Sequence, residues 1–251
     1  MRGSAKHTRF LFNELFKRSK GIMLICKWEK LPDEIKNDDV YQYWVILRKK
    51  NFSLFWKRIF DVIASFLMLI ILSPLFFILA IAIKIDSRGP VFYRQERVTQ
   101  YGKRYRIFKF RTMVNNADKI GSQVTVSNDM RITKVGKLIR KCRLDEIAQL
   151  LNVLGGSMTF VGTRPEVPKY VEQYTDEMKA TLLLPAGVTS EASIKYKDED
   201  QLLENAENAD ETYINEVLPG KMEYNLKAIR EFGFWRDIGT MFKTVSAVLK
   251  R

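Results

Sequence analysis

Residues 62–83 read VIASFLMLIILSPLFFILAIAI, and how that run is read decides the fold. It holds 22 residues without a charge, enough to span the hydrocarbon core of a bilayer, and longer than a core helix of a small domain needs. Two features argue against simple spanning. Ser73 and Pro74 stand in the middle, where proline removes a helical hydrogen bond and bends the helix. Both flanks are basic, with Arg48, Lys49, Lys50, Lys57 and Arg58 before the run and Lys84 and Arg88 after it. The positive-inside rule therefore finds no outside end. A helix that enters, bends at Ser73-Pro74 and returns to the same face resolves the conflict, so a re-entrant helix is expected. Asp61, where the run begins, is expected to be neutralised by Lys57 or Arg58.

Around this run the 251 residues divide into an N-terminal basic and aromatic extension (1–50), the re-entrant membrane helix (51–86) and a catalytic domain (87–251). Net charge is +13, but its distribution says more than its sum. Residues 1–60 carry 14 Lys/Arg against 6 Asp/Glu, residues 84–144 carry 16 against 4, and residues 145–251 carry 12 against 18. Basic character on both sides of one apolar run fits anionic lipid and phosphate better than nucleic acid. Cys26 and Cys142 are the only cysteines and His7 the only histidine. That removes disulfide frameworks, Ser-His-Asp and Cys-His catalysis, and the usual histidine-rich metal sites. Chemistry is left to carboxylates, Lys, Arg, hydroxyls and an oxygen-liganded metal.

Downstream, GPVFYRQERV and KRYRIFKFRTM alternate apolar and polar residues around Gln100-Tyr101-Gly102-Lys103, which reads as a β-hairpin. Lys109 and Arg111 alternate with Phe108 and Phe110 and are expected to share one face; a solvated basic edge strand is the plainer alternative. Asp118 to Asp129 reads as a polar loop, and Ile132 to Arg143 as a short cationic helix. No P-loop, GxGxxG or internal repeat is present.

The stretch RLDEIAQLLNVLGGSMTFVGTRPE, Arg143 to Glu166, places adjacent carboxylates, Asp145 and Glu146, at the start of a short amphipathic helix. Ile147, Leu150, Leu151 and Leu154 form its expected apolar face, Gly155-Gly156 its stop, and Met158 to Val161 a short strand. Read plainly, Asp145 is a helix N-cap and Glu146 a first-turn charge. After a turn at Thr163-Arg164-Pro165-Glu166 come a helix over Val167–Leu184 and an acidic segment over Lys197–Glu211. Two helices parted near Glu231-Phe232-Gly233 follow, the last either a packing helix or a membrane-contacting one. The fold class is α+β: a mostly helical catalytic domain with a short β-hairpin and amphipathic interfacial helices.

Beside a one-sided anchor, clustered Lys/Arg with a carboxylate pair would attract a multiply charged phosphate. An Asp can attack phosphorus as a nucleophile, and a neighbouring Glu can ligate Mg²⁺. Four blocks then carry a specific resemblance: KRIFD with the later SP, GPVFYRQERV…GK…IFKFRTM, RITKVGKLIRKCRLDE, and LLNVLGGSMTFVGTRPE. In this order, from Lys57 to Arg251, the chain resembles the bacterial sugar transferases, monotopic phosphoglycosyl transferases that begin glycan assembly on polyprenyl phosphate.

The resemblance implies that Asp145 attacks the β-phosphate of a UDP-sugar, releasing UMP, and that polyprenyl (undecaprenyl) phosphate takes up the resulting phosphosugar. It implies Glu146 and Asp145 as Mg²⁺ ligands, Lys109 and Arg111 on phosphates, and Arg164 and Arg97 among the substrate-binding residues. Asp237 would stabilise the site. The protein would sit on the cytoplasmic face of the bacterial inner membrane, starting capsule, exopolysaccharide, O-antigen or glycoprotein glycans, with membrane lipid as partner and room left for a homodimer. Departures from the family pattern are Thr99, Thr112, Ala148, Ser157, Thr163 and the segment PAGVTSEASIKYKDED, a candidate determinant of sugar choice. The competing reading is a non-catalytic scaffold that binds anionic lipid. It predicts function lost on neutralising Lys109 and Arg111 but kept in Asp145→Asn.

Overall fold

The computed structural model describes residues 25–115, 117, 129–197, 199 and 208–249. Residues 1–24, the polar loop expected before Asp129 and most of the acidic segment lie outside the described residues.

Helix α1 spans Asp38–Lys49, with the Asn37 side chain accepting from Val40 N (2.8 Å) as its N-cap. Its inner face, Val40, Tyr43 and Leu47, joins Ile25, Leu31 and Ile35 in the largest core, together with Tyr170, Tyr174, Leu218 and Met222. The described part of the N-terminal extension is thus built into the C-terminal half of the chain. Its polar atoms make the same connection, with Trp44 Nε1 on Cys26 O, Cys26 N on Tyr101 Oη, and Tyr43 Oη on Glu177.

Helix α2 runs from Asn51 to Asp86 as one element of 36 residues, about 54 Å at the α-helical rise. It is long and apolar enough to cross a membrane, and only 11% of its most apolar window is buried, unlike the mostly buried core helix of a soluble protein. Its hydrogen-bonded helical assignment continues through Ser73 and Pro74. Pro74 cannot donate to Ile70 O, and the Ser73 hydroxyl donates to that same carbonyl instead (2.8 Å), so the orphaned acceptor is satisfied within the helix. Both ends of α2 are fastened to the globular body. Near its start Arg58 donates to Val153 O and Leu154 O, and Asp61 accepts from Thr159 Oγ1 (2.6 Å). At its end Asp86 accepts from Val135 N, and Arg111 holds Ser87 O and Arg88 O.

The expected hairpin is present: β1 (Phe92–Val98) and β2 (Arg104–Phe110) pair antiparallel from Phe92↔Phe110 to Val98↔Arg104. Tyr101 and Gly102 turn the chain at positive φ. Phe92, Phe108 and Phe110 face a second core with Leu79 and Ile83 of α2 and Ile139 of α3 (Lys134–Lys141). After α4 (Leu150–Leu154), β3 (Met158–Val161) runs parallel to β4 (Ala186–Thr189).

The helix expected over Val167–Leu184 is instead α5 (Pro168–Val171) and a 3₁₀ stretch at Met178–Leu183. Tertiary donors compete for carbonyls on that path: Asn37 Nδ2 takes Asp176 O, and Gln100 Nε2 takes Leu183 O. The chain closes with α6 (Glu191–Lys195), α7 (Ala209–Thr212), a π-turn at Tyr213–Val217, α8 (Leu218–Arg230) and α9 (Phe234–Leu249). Helices α8 and α9 part at Glu231-Phe232-Gly233, as the sequence predicts, and α9 leaves Trp235, Phe242 and Val245 exposed.

Candidate active site

Helix α3 ends at Cys142, and Arg143 then takes a left-handed conformation (φ 55°) that redirects the chain into a 3₁₀ turn over Leu144–Gln149. Asp145 is therefore not an N-cap. It is the second residue of that turn, with Glu146 after it. The tighter period also changes the buried face from the one expected. Ala148, Gln149, Leu150, Asn152 and Val153 are buried, whereas Ile147, Leu151 and Leu154 are half-buried.

Buried Asn152 supplies a connection that the apolar pattern hid. Its Oδ1 accepts from Phe108 N (2.7 Å), and its Nδ2 donates to Arg106 O and Ser157 Oγ (both 3.1 Å). These bonds pin strand β2 to α4. Phe108 and Phe110 pack toward α2, so the alternating Lys109 points the other way, to Glu146 Oε1 at 3.5 Å.

Arg164 arrives from the turn after β3. That turn is held by Gly187 N on Thr163 O (2.8 Å), Arg97 Nη1 on Pro165 O (3.1 Å) and Val98 N on Glu166 O (3.0 Å). The Arg164 fork closes on Glu146, with Nη2 on Oε1 and Nη1 on Oε2.

The two carboxylates are in opposed electrostatic positions. Burial works against the charge of Glu146, but Arg164 and Lys109 outweigh it and hold its carboxyl well below the usual range. Asp145 is pushed up: burial dominates, Glu146 adds to it, and Lys109 only partly compensates. The Glu146 charge in turn raises Arg164, and burial lowers Lys109. When neighbouring titratable groups are driven apart in this way they suit different roles. Glu146 is held as an anion by its two cations, and Asp145 is the more readily protonated of the pair.

Asp145, Glu146, Lys109 and Arg164 therefore meet, while Arg97 reaches the backbone of the Arg164 turn, at Pro165 O. Arg111 and Asp237 do not join them. The buried Arg111 guanidinium is spent on Ser87 O and Arg88 O (2.7 Å each), so Lys109 and Arg111 serve different targets rather than one face. Asp237, in the first turn of α9, accepts from Lys57, which also donates to Val161 O (2.9 Å), and burial raises its carboxyl against the pull of that ammonium. Lys57 thus hydrogen-bonds to Asp237, while its charge and that of Arg58 also act on Asp61, as expected. Asp237 lines a separate pocket with Gly162, Thr163, Glu191, Arg236 and Thr240.

Sequence reasoning did not anticipate the pairing of Lys57 with Asp237, and it missed Arg143, Asn152 and Tyr105. The last has a buried hydroxyl without a hydrogen-bond partner and stands opposite Arg97 across the hairpin. A polar residue inside LLNVL was the available signal for Asn152, since a buried amide must find partners.

Among the described residues no group of three His, Cys, Asp or Glu converges. Two adjacent carboxylates do not make a zinc site, but they suit Mg²⁺, which keeps waters and takes one or two carboxylates together with substrate phosphates.

The model of the family described as bacterial sugar transferase matches residues 52–251, and the chain belongs to that family. It is 35% identical over 225 residues to the UDP-N-acetylgalactosamine-undecaprenyl-phosphate N-acetylgalactosaminephosphotransferase of Aeromonas hydrophila, covering 88% of this chain and 50% of that protein. It is 38% identical over 199 residues to the UDP-glucose:undecaprenyl-phosphate glucose-1-phosphate transferase of Klebsiella pneumoniae, covering 77% and 40%. For a Caulobacter vibrioides protein of that same name the figures are 31% over 196 residues, covering 77% and 69%. The chain thus spans half or less of the first two relatives.

Proposed function

We propose that this chain is a phosphoglycosyl transferase that moves a sugar-1-phosphate from a UDP-sugar to polyprenyl phosphate in two steps at Asp145. In the first, an Asp145 carboxylate oxygen bonds to the β-phosphorus while the bond from that phosphorus to the bridging oxygen breaks, and UMP leaves with the electron pair. In the second, a phosphate oxygen of the polyprenyl phosphate attacks the same phosphorus, the acyl-phosphate bond breaks, and Asp145 is restored as a carboxylate. The observation that carries this reading is the split of the pair: Glu146 is clamped by Arg164 and Lys109, and Asp145 is left as the basic oxygen beside those cations. The names of the relatives supply the donor and acceptor classes.

Lys109 and Arg164 would hold the diphosphate, with Arg97 next along the hairpin face. Asp145 and Glu146 would hold Mg²⁺, which when bound neutralises charge on the transferring phosphates. A re-entrant seating of α2 on the cytoplasmic face of the cell membrane is supported by the attachment of both its ends to one globular body, next to basic flanks. The exposed Trp235 and Phe242 of α9 suit the headgroup boundary beside it.

The test is UMP release by detergent-purified protein from a panel of UDP-sugars with Mg²⁺, with and without polyprenyl phosphate, beside Asp145→Asn. A burst of UMP before acceptor is added, absent in Asp145→Asn, is the expected result. Release only when both substrates are present would replace the covalent step by direct transfer. Silence from folded protein that still binds anionic vesicles would favour the scaffold.

A further inference from the structure

Helix α8 carries a buried cation that the proposed reaction does not use. Lys221 is 3% exposed. Its ammonium donates to Glu199 Oε2 (2.9 Å) and to the Tyr213 hydroxyl (2.9 Å), and lies 3.5 Å from Glu166 Oε1. Tyr213 passes its own proton toward Glu166 Oε1 at 2.6 Å. Glu166 stands two residues after Arg164, so Lys221 ties the turn that aims Arg164 to the stretch that holds Glu199.

That stretch is fastened at two further points. Tyr196 lies directly on the backbone of α8: a Cβ added to Gly220 would meet its hydroxyl oxygen at 2.0 Å. Arg143, two residues before Asp145, donates to Lys197 O (3.4 Å). Tyr196, Lys197 and Glu199 therefore connect the residues leading into the carboxylate pair with the Arg164 turn, and α8 backs them.

We propose that Lys221 is a positioning residue that, through Glu199 and Glu166, holds Tyr196 and Lys197 as one wall of the donor site and thereby sets which sugar the site accepts. The inference rests on the proposed transferase reaction and deepens it. One ammonium shared by two carboxylates is a demanding arrangement. Without it Glu166 and Glu199 repel each other, and Glu166 keeps Tyr213 as its partner while Glu199 is released. The wall then shifts, while Asp145, Glu146 and Lys109 stay on their own supports. The change falls on fit to the sugar, not on the transfer step or the lipid acceptor.

Lys221→Met leaves the buried Glu166 charge without its cation and can unfold the protein, so the decisive variants are Glu199→Gln and Gly220→Ala. The first weakens the clamp without stranding a charge. The second adds a methyl that a helix tolerates well but that displaces Tyr196. Full-length protein is assayed for UMP release across the UDP-sugar panel, with thermal unfolding measured in parallel. In both variants the ratio of kcat/KM between the best and second-best sugar changes by about tenfold, the scale of a fit difference at one substituent, and the change lies in KM. KM for polyprenyl phosphate stays within about twofold. Unchanged sugar ratios in folded variants, beside active wild type, overturn this inference alone. Wild-type protein that releases UMP from no UDP-sugar overturns the proposed function and this inference together.

Discussion

Replacing Asn152 by alanine tests whether one buried amide places the cation beside the carboxylate pair. Asn152 is 5% exposed and bridges α4 to β2 through Phe108 N and Arg106 O, with Ser157 Oγ as a third partner. Alanine strands the Phe108 N–H, which costs about 1–3 kcal/mol in a buried setting. Arg106 O keeps a second donor in Arg94 Nη2 (3.2 Å), so its loss is smaller, about 1 kcal/mol. The sum, about 2–4 kcal/mol, corresponds to a fall in Tm of roughly 5–15 °C for a chain of this size. Because the same bonds hold β2 at the distance that sets Lys109 against Glu146, KM for the UDP-sugar rises as well. The assays are thermal unfolding in detergent and UMP release. A fall in Tm of less than about 2 °C would refute the claim that Asn152 joins the two elements. A large fall with unchanged KM would refute its link to Lys109.

The proposed first step would require ionised Asp145, whose carboxyl is raised above the usual range, so UMP release is expected to fall as pH drops through that raised midpoint. Lys109 favours the charged form, and Lys109→Met therefore moves the midpoint upward; a downward or absent shift in single-turnover profiles counts against the assignment. Glu146 contributes in the opposite sense. With its folded carboxyl below the ordinary value of 4.5, the stability from its pairing is complete above that value and disappears in acid. The stability gap between wild type and Arg164→Met should then narrow below about pH 4, and a gap constant into acid would contradict it. Arg111→Lys cannot reach both Ser87 O and Arg88 O, and Gly89→Ala places a methyl 2.0 Å from Arg111 Nη1 at a φ of +131°. Each is expected to lower Tm by roughly 2–8 °C with KM for the UDP-sugar within about twofold. A raised KM at unchanged Tm would return Arg111 to the phosphate site.

Several elements were legible because one local signal decided them. The hairpin followed from period-two alternation around Tyr101-Gly102, and α2 from the length of an uncharged run. The carboxylate pair and Arg164 were recognisable from their motifs. What stayed hidden depended on contacts distant in sequence. Arg111 and Lys109 look equivalent in FKFRTM, yet the strand ends at Phe110, and the residue beyond it follows the end of α2 rather than the alternation. Residues 1–50 read only as a basic and aromatic extension, whereas Tyr43, Val40 and Leu47 found Tyr174 and Met222 more than 120 residues away. The 3₁₀ geometry at Leu144–Gln149 was likewise invisible, because the left-handed Arg143 that starts it belongs to a residue type with no preference for that region.

The clamp on Glu146 has a consequence for how any anion reaches the site. Arg164 and Lys109 share one carboxylate, so a diphosphate arriving in the proposed reaction would not meet two bare cations. It would displace a tethered competitor, and the affinity it shows would be the difference between its own attraction to those cations and that of a carboxylate built into the chain. Dissolved salt screens both attractions at once. Donor affinity would thereby be buffered against ionic strength, a property that a pocket of unpaired lysines and arginines would lack.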